Sequence, residues 1–268
     1  MTPPTTPQAL AAAADAAVAD ADNAAARAGV RVAELHDLPS LEAAGELLCQ
    51  VWGADSPDQL VNLSLLRALA HAGNYVAGAH REDKLIAVAV AFLGEGHLHS
   101  HITGVTRGGQ GAGVGHVLKL HQRGWALRRG IPEVRWTFDP LVRRNAYFNL
   151  QKLGATASDY LVDFYGPLTD GINVGDPSDR LLAVWDLAGD RAVRAIAGTL
   201  PAADATTAAR TVQIPEDIEA LRPADPAAAL RWRHAVREGL LSGFAEGLVI
   251  TGVTRDGRYV LNPGRDDA

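Results

Sequence analysis

The sequence predicts an α/β (α+β) fold, with a mixed, mostly antiparallel central sheet flanked by helices and an α/β extension behind it. Three observations carry this. Alternating runs such as "VRVAELHDL" read as strands, and longer amphipathic runs such as "LEAAGELLCQVWG" read as helices. From residue 30 their order is strand, two helices, three strands, helix, strand, helix, two strands. "NYVAGAHRE" and "KLIAVAVAFLG", split by a turn near Asp83, read as an antiparallel hairpin.

The elements follow in order. Residues 1–28 begin with Pro and Thr and become Ala-rich, with little large apolar surface, so they read as a frayed helix or a disordered arm. After the strand that starts at Val30, Pro39 and Ser40 open one helix, and Ser56-Pro57 opens a second that runs to Gly73. The hairpin comes next, then the strand "GHLHSHITGV", a Gly-rich loop and the helix "GHVLKLHQRGWALRRG". "PEVRWTFDPL" is a strand in which Trp136 and Phe138 alternate as core residues, and the helix "VRRNAYFNLQKLG" ends at Gly154. "SDYLVDFYG" and "RLLAVWDL" close the core. Residues 189–210 are weakly patterned. "TVQIPEDIEALR" reads as a strand and a short helix, "DPAAALRWRHAVREGLLSGFAEG" as a long helix, and "LVITGVTRDGRYVL" as a hairpin turning at Asp256-Gly257. The expected domains are an arm at 1–28, a core at 29–188 and an extension at 189–268.

Composition narrows the function classes. The 268 residues are 47% hydrophobic and 21% charged, with a net charge of −6. General nucleic-acid binding wants a basic surface and is not expected. No apolar run reaches the roughly 20 residues of a membrane span. Before Arg27 there is no Lys or Arg and no compact apolar stretch, so no secretory signal is read, and the expected location is cytoplasmic. The single cysteine, Cys49, lies on an amphipathic helix and reads as packing.

Val105 to Lys119, "VTRGGQGAGVGHVLK", is the segment that points to chemistry. A strand runs into glycines, and the glycines run into a helix. Backbone N–H groups there can approach an anion closely, and the helix adds its free donors and positive dipole end. The dinucleotide pattern GxGxxG fails, because the third glycine would fall on His116 or Leu118, and the chain has no Gly-Lys pair to complete a P-loop. Gln/Arg-x-x-Gly-x-Gly fits, as Gln110-Gly111-Ala112-Gly113-Val114-Gly115.

That run resembles the coenzyme A pyrophosphate loop of the GNAT superfamily of acyltransferases, and it lies between the fourth strand and the third helix, as it does there. "RRNAYFNLQKLGA" is similar to the helix after the fifth GNAT strand, with Asn145, Lys152, Leu153 and Gly154 matching. Over residues 30–262 the chain resembles a group of larger GNAT relatives, through "LHSHITGV", "WTFDPLVRRNAYFNLQKLGA", "YGPLTDGINVGDPSDRL" and "IPEDI…RWRHAVREG". Some of these relatives are reported as succinyl-CoA:D-amino-acid N-succinyltransferases. The resemblance implies a GNAT fold that binds acetyl-CoA or another acyl-CoA, succinyl-CoA among them. Its contacts would be Val105, Arg107, Gln110, Gly111, Ala112, Gly113, Val114, Gly115 and Asn145. It departs from the family at Leu150, where many relatives place the tyrosine that protonates the leaving thiolate. Tyr147, Tyr160, Tyr165 or water would have to substitute.

Acyl transfer to an amine needs a base, an oxyanion donor and orientation. A backbone N–H near Gly104 and Val105 is the expected oxyanion donor. His97, His99 and His101 alternate on one strand and so are expected to share a face, with His101 nearest the loop as base. Three such imidazoles can also hold zinc, but no nearby Cys or acid completes a site, and no metal is expected. Asp139 reads as a helix cap or a catalytic residue, and Tyr165 as a further catalytic candidate. In the polar loop from Gly166 to Arg180, a candidate acceptor lid, Asn173 and Arg180 are candidate substrate contacts. Arg180 would clamp a carboxylate or pair with Asp179 or Asp176. The expected partner is a small-molecule amine such as an amino acid, with a homodimer as the default assembly. A non-catalytic acyl-CoA sensor and an aminoacyl-tRNA-dependent acyltransferase are the alternatives.

Overall fold

The computed structural model describes residues 7–166 and 176–264, which fall into two compact units, the chain passing from one to the other between Val134 and Arg135. Each is taken by itself.

In the N-terminal unit, β1 (Arg31–Glu34), β2 (Tyr75–Arg81), β3 (Lys84–Leu93) and β4 (Leu98–Val105) pair antiparallel in that order. Helices α2 (Leu38–Trp52) and α3 (Leu63–His71) cover one face. Asp37 caps α2 through the Ser40 N–H, and Asn62 caps α3 through that of Leu65. Leu41, Leu47, Leu48 and Leu66 bury against Val76, Val88 and Val90, each worth about 1.5–3 kcal/mol on burial. Helix α4 (Val114–Arg128) packs on the strands from the other side, where its Lys119 bonds to Ser100 of β4.

Residues 7–28 correct the expected arm. They form an ordered helix, α1 (Pro7–Ala28), with Ala14, Ala17, Ala21 and Ala24 buried. Small side chains let α1 lie close along α4, where a Cβ on Gly124 would come within 3.0 Å of Val18. Arg123 pairs with Asp20 at 3.1 Å. Closeness replaces bulk, which is why hydrophobicity alone undervalued the segment.

In the C-terminal unit, β7 (Arg180–Asp186) lies between β5 (Glu133–Phe138) and β6 (Thr156–Leu161), and β6 and β7 are antiparallel. Trp136 and Phe138 are core residues, and Trp136 meets Trp185 edge-on at 6.1 Å. Helix α5 (Arg143–Tyr147) runs into a π-helical turn over Phe148–Lys152, a finer break than the single helix expected. Gly154 closes it at φ 72°, where a Cβ would fall 2.5 Å from the Arg191 carbonyl. The weakly patterned stretch contains α6 (Asp190–Ile196). A second antiparallel sheet, ordered β8 (Arg210–Gln213), β10 (Arg258–Pro263), β9 (Leu248–Val253), follows with α7 (Ile218–Ala224) and α8 (Pro226–Ala245).

Candidate functional site

The glycine loop is a tight structure at the end of β4. The Thr106 N–H bonds to the Ile86 carbonyl at 2.9 Å, and the Thr106 carbonyl accepts from Gly109 at 2.8 Å and Gln110 at 3.1 Å. Arg107–Gly109 form a 3₁₀ turn. Gly111 and Gly113 then adopt left-handed φ values of 77° and 76°, a region that costs other L-residues roughly 1–2 kcal/mol. Added Cβ atoms there would meet nothing within 4 Å, so the space above the loop is open. Gly113 is the N-cap of α4, and Val117 is the residue whose N–H first returns to the Gly113 carbonyl, at 3.0 Å. Among the described residues, the N–H groups of Gly111, Ala112, Gly113, Val114 and Gly115 have no backbone acceptor outside helix or strand. Those donors, with the positive end of a 15-residue helix, form an anion cradle.

Other loop residues support that cradle. Val105 pairs with Ala87 in the ladder, and its methyls pack beneath Gly109 and Gly115. The Gln110 amide reaches the Val105 carbonyl at 3.5 Å. Arg107 and Gln110 line a cavity of about 920 Å³ shared with α2 and the β2–β3 turn.

The histidine trio needs correcting. His97 lies before β4, its ring over Gly94 and its Nδ1 2.9 Å from the Glu95 carbonyl. His99 and His101 do share a face with Phe92, at ring distances of 4.9 and 5.8 Å. A bulge follows at His101. Ser100 pairs with Ala91 and Ile102 with Val90, so His101 is the extra residue. The bulge reverses the strand's alternation: Ser100 faces α4 through Lys119, whereas Gly104 faces Leu48 of α2. His101 is exposed on one side, and burial of the rest lowers its pKa. Burial, then His101, His97 and Lys119, bring His99 down to about 4. Among the described residues no group of three or more His, Cys, Asp or Glu is arranged to hold a metal ion.

In the C-terminal unit the expected catalytic Asp139 is instead the centre of a buried ion network. Its Oδ1 accepts from the Leu141 N–H at 2.9 Å and from Arg233 at 2.8 Å, and its Oδ2 from Arg233 at 3.1 Å and from Arg222. Burial pushes its pKa up, but Arg233, Arg222 and the Leu141 N–H outweigh that and hold it at about 2. With both oxygens taken, it has no lone pair aimed at a substrate. Asp176 accepts from Arg222 at 2.9 Å and Arg233 at 2.6 Å. Asp179 accepts from Arg237 at 2.8 and 2.7 Å and from Tyr160 at 2.6 Å. Sequence reading missed these three arginines, although Arg233 and Arg237 stand one turn apart on α8.

Arg180 belongs to the same network without a carboxylate of its own. It is 8% exposed, donates to the Asp179 carbonyl at 2.9 Å and lies 5.4 Å from the Tyr165 ring. Among the described residues no carboxylate pairs with it, so the expected pairing with Asp179 or Asp176 does not form. Among the described residues Arg180, Arg222, Arg233 and Arg237 thus face Asp139, Asp176 and Asp179, one cation in excess. The Tyr165 hydroxyl is 2.9 Å from Thr137 Oγ1. Tyr160 is buried, and its donation to Asp179 adds to burial in pushing its pKa up, which removes it as an acid. Leu150 is fully buried. Asn145 is exposed on α5, and Tyr147 lines a smaller cavity with Arg143, Arg144 and Lys152. Asn173 lies outside the described residues.

No family model and no curated protein matches this sequence. Solved structures do resemble it. The ribosomal-protein-S18-alanine N-acetyltransferase of Escherichia coli is 16% identical, with 60% of this chain and 97% of that chain covered and a TM-score of 0.48. The IAA acetyltransferase of Bacillus cereus is 15% identical, with 59% and 99% covered and a TM-score of 0.46. The PaiA N-acetyltransferase of Thermoplasma acidophilum, solved with coenzyme A, is 16% identical, with 59% and 98% covered and a TM-score of 0.43. At these low scores the functional reading rests on the loop, not on the neighbours.

Proposed function

We propose that this chain is an acyl-CoA-dependent N-acyltransferase of GNAT type acting on a small amine that carries a carboxylate, such as an amino acid. The observation that carries the reading is the pair of left-handed glycines, Gly111 and Gly113, which open the N-terminus of α4 to a pyrophosphate. No side chain would fill that space, and the backbone donors from Gly111 to Gly115 suit a phosphate. The thioester of the cofactor supplies an activated acyl group.

The chain's own residues take the remaining roles. His101, raised out of the ladder by its bulge and uncharged near neutral pH, takes the proton of the attacking amine. Backbone N–H groups near Gly104 and Val105 stabilise the oxyanion. Within the C-terminal unit, Arg180 pairs with no carboxylate among the described residues and is suited to a carboxylate such as that of an amino acid. Tyr160 is committed to Asp179, whereas Tyr165 keeps an exposed phenol and is the proposed proton donor to the thiolate. The chain acts inside the cell, without a metal.

Release of free thiol from acetyl-CoA and succinyl-CoA, with a panel of amino acids and of the same amines lacking the carboxylate, tests this. Turnover with amino acids and not with the decarboxylated amines is expected. Tight acyl-CoA binding without turnover on any amine would favour a sensor instead, a reading that the buried Leu150 supports by leaving no acid at the usual place.

A further inference from the structure

The cavity beside the loop has a lining that the pyrophosphate cradle does not use. Its volume of about 920 Å³ falls within the roughly 300–1,000 Å³ of small-molecule sites. Leu47, Val51, Ile86 and Val105 give it aliphatic walls, and Arg81, Lys84 and Arg107 bring three cations to it. Glu46 and Glu82 line it too, yet none of the three cations pairs with a carboxylate among the described residues.

The local geometry concentrates this positive charge at a cost. Arg81 and Lys84 are direct cross-strand partners on either side of the two-residue β2–β3 turn, and like charges placed so repel. That turn also holds Glu82 at φ 54°, a conformation uncommon outside glycine. Arg81 then reaches over to donate to the Gly108 carbonyl at 3.1 Å, tying the hairpin to the glycine loop. Three cations against two carboxylates, with no ion pair formed among the described residues, leave the cavity beside the cradle suited to another phosphate.

We propose that Arg81, Lys84 and Arg107 bind a second phosphate of the same ligand, the ribose 3′-phosphate that coenzyme A has and dephospho-coenzyme A lacks. This rests on the acyl-CoA reading of the loop and extends it to donor choice. The chain selects free CoA thioesters over pantetheine thioesters borne on a carrier protein, which have no 3′-phosphate.

Calorimetric titration of the whole chain with CoA, dephospho-CoA and adenosine 3′,5′-bisphosphate tests it, in the native protein and in a Lys84→Ala variant. Arg81 and Arg107 are kept because the one braces the glycine loop and the other is part of it. The native chain should bind CoA at least tenfold more tightly than dephospho-CoA, the scale of one charge-assisted hydrogen bond. The variant should lose that difference while its affinity for dephospho-CoA stays within about twofold, as expected when only phosphate contacts are removed. Equal affinities in the native chain, or equal weakening of both ligands in the variant, overturns the assignment. The bisphosphate separates this proposal from the reading beneath it. If no CoA species binds, bisphosphate binding that the variant abolishes upholds the cavity while the acyl-CoA reading falls, and failure of the bisphosphate to bind overturns the cavity too.

Discussion

Replacing Lys119 with methionine should make the protein's stability less dependent on pH. Lys119 is buried between α4 and β4, bonded to Ser100 Oγ at 2.9 Å and Gln122 Oε1 at 3.2 Å, and burial lowers its amine from 10.5 to about 7. A base whose folded pKa is depressed destabilises the folded state most when both states are protonated, below about pH 7. Stability then climbs as pH rises from 7 towards 10.5, because the folded chain has released a proton that the unfolded chain still holds. The slope approaches 1.4 kcal/mol per pH unit, so the native protein should gain about 2 kcal/mol from this residue between pH 7 and pH 9. Methionine is of similar length and does not titrate, but it leaves Ser100 and Gln122 short of a donor, a loss of about 1–3 kcal/mol. The variant should therefore be comparable or more stable at pH 6 and less stable at pH 9. Urea unfolding of both proteins from pH 6 to pH 9 measures this, with other titrating groups cancelling in the difference. A difference that stays constant across the range would show that Lys119 keeps its proton in the fold, and the reasoning would fail.

Other predictions follow from the same contacts. Asp139→Ala strands part of Arg233 and Arg222 in the interior and should cost about 3–5 kcal/mol in thermal or urea unfolding; a loss confined to activity would restore Asp139 as a catalytic acid. In the native chain this carboxylate contributes stability above the ordinary pH of about 3.8, lost as pH falls through about 2. Gly154→Ala forces a Cβ against the Arg191 carbonyl at a left-handed φ and should lower the melting temperature by several degrees. His101→Gln should cut kcat by about 10²–10⁴ and erase the acidic limb of the pH–rate profile, and an unchanged profile would assign the base elsewhere.

Much of the fold was legible because strand alternation and turn chemistry are local. The hairpin at Asp83 and the strand–glycine–helix run at Val105–Lys119 stand where the residues suggested. What stayed hidden was set at a distance or by geometry. Asp139 meets partners 83 and 94 residues away, so a cap and a core ion pair look alike in sequence. The bulge at His101 leaves no mark in the alternation of "LHSHITGV", yet it decides which face each later side chain takes. Among its described side chains helix α1 buries only alanines, at i, i+3, i+7 and i+10, a spacing that could have revealed its face despite weak hydrophobicity.

The central claim is that the loop from Gly111 to Gly115 binds the pyrophosphate of coenzyme A, and calorimetric titration of the native chain and of Gly113→Glu with CoA tests it most directly. The account predicts binding by the native chain and none by the folded variant, in which a carboxylate occupies the cradle at a position where φ is 76°. Equal binding by both, or none by the native chain, would contradict it.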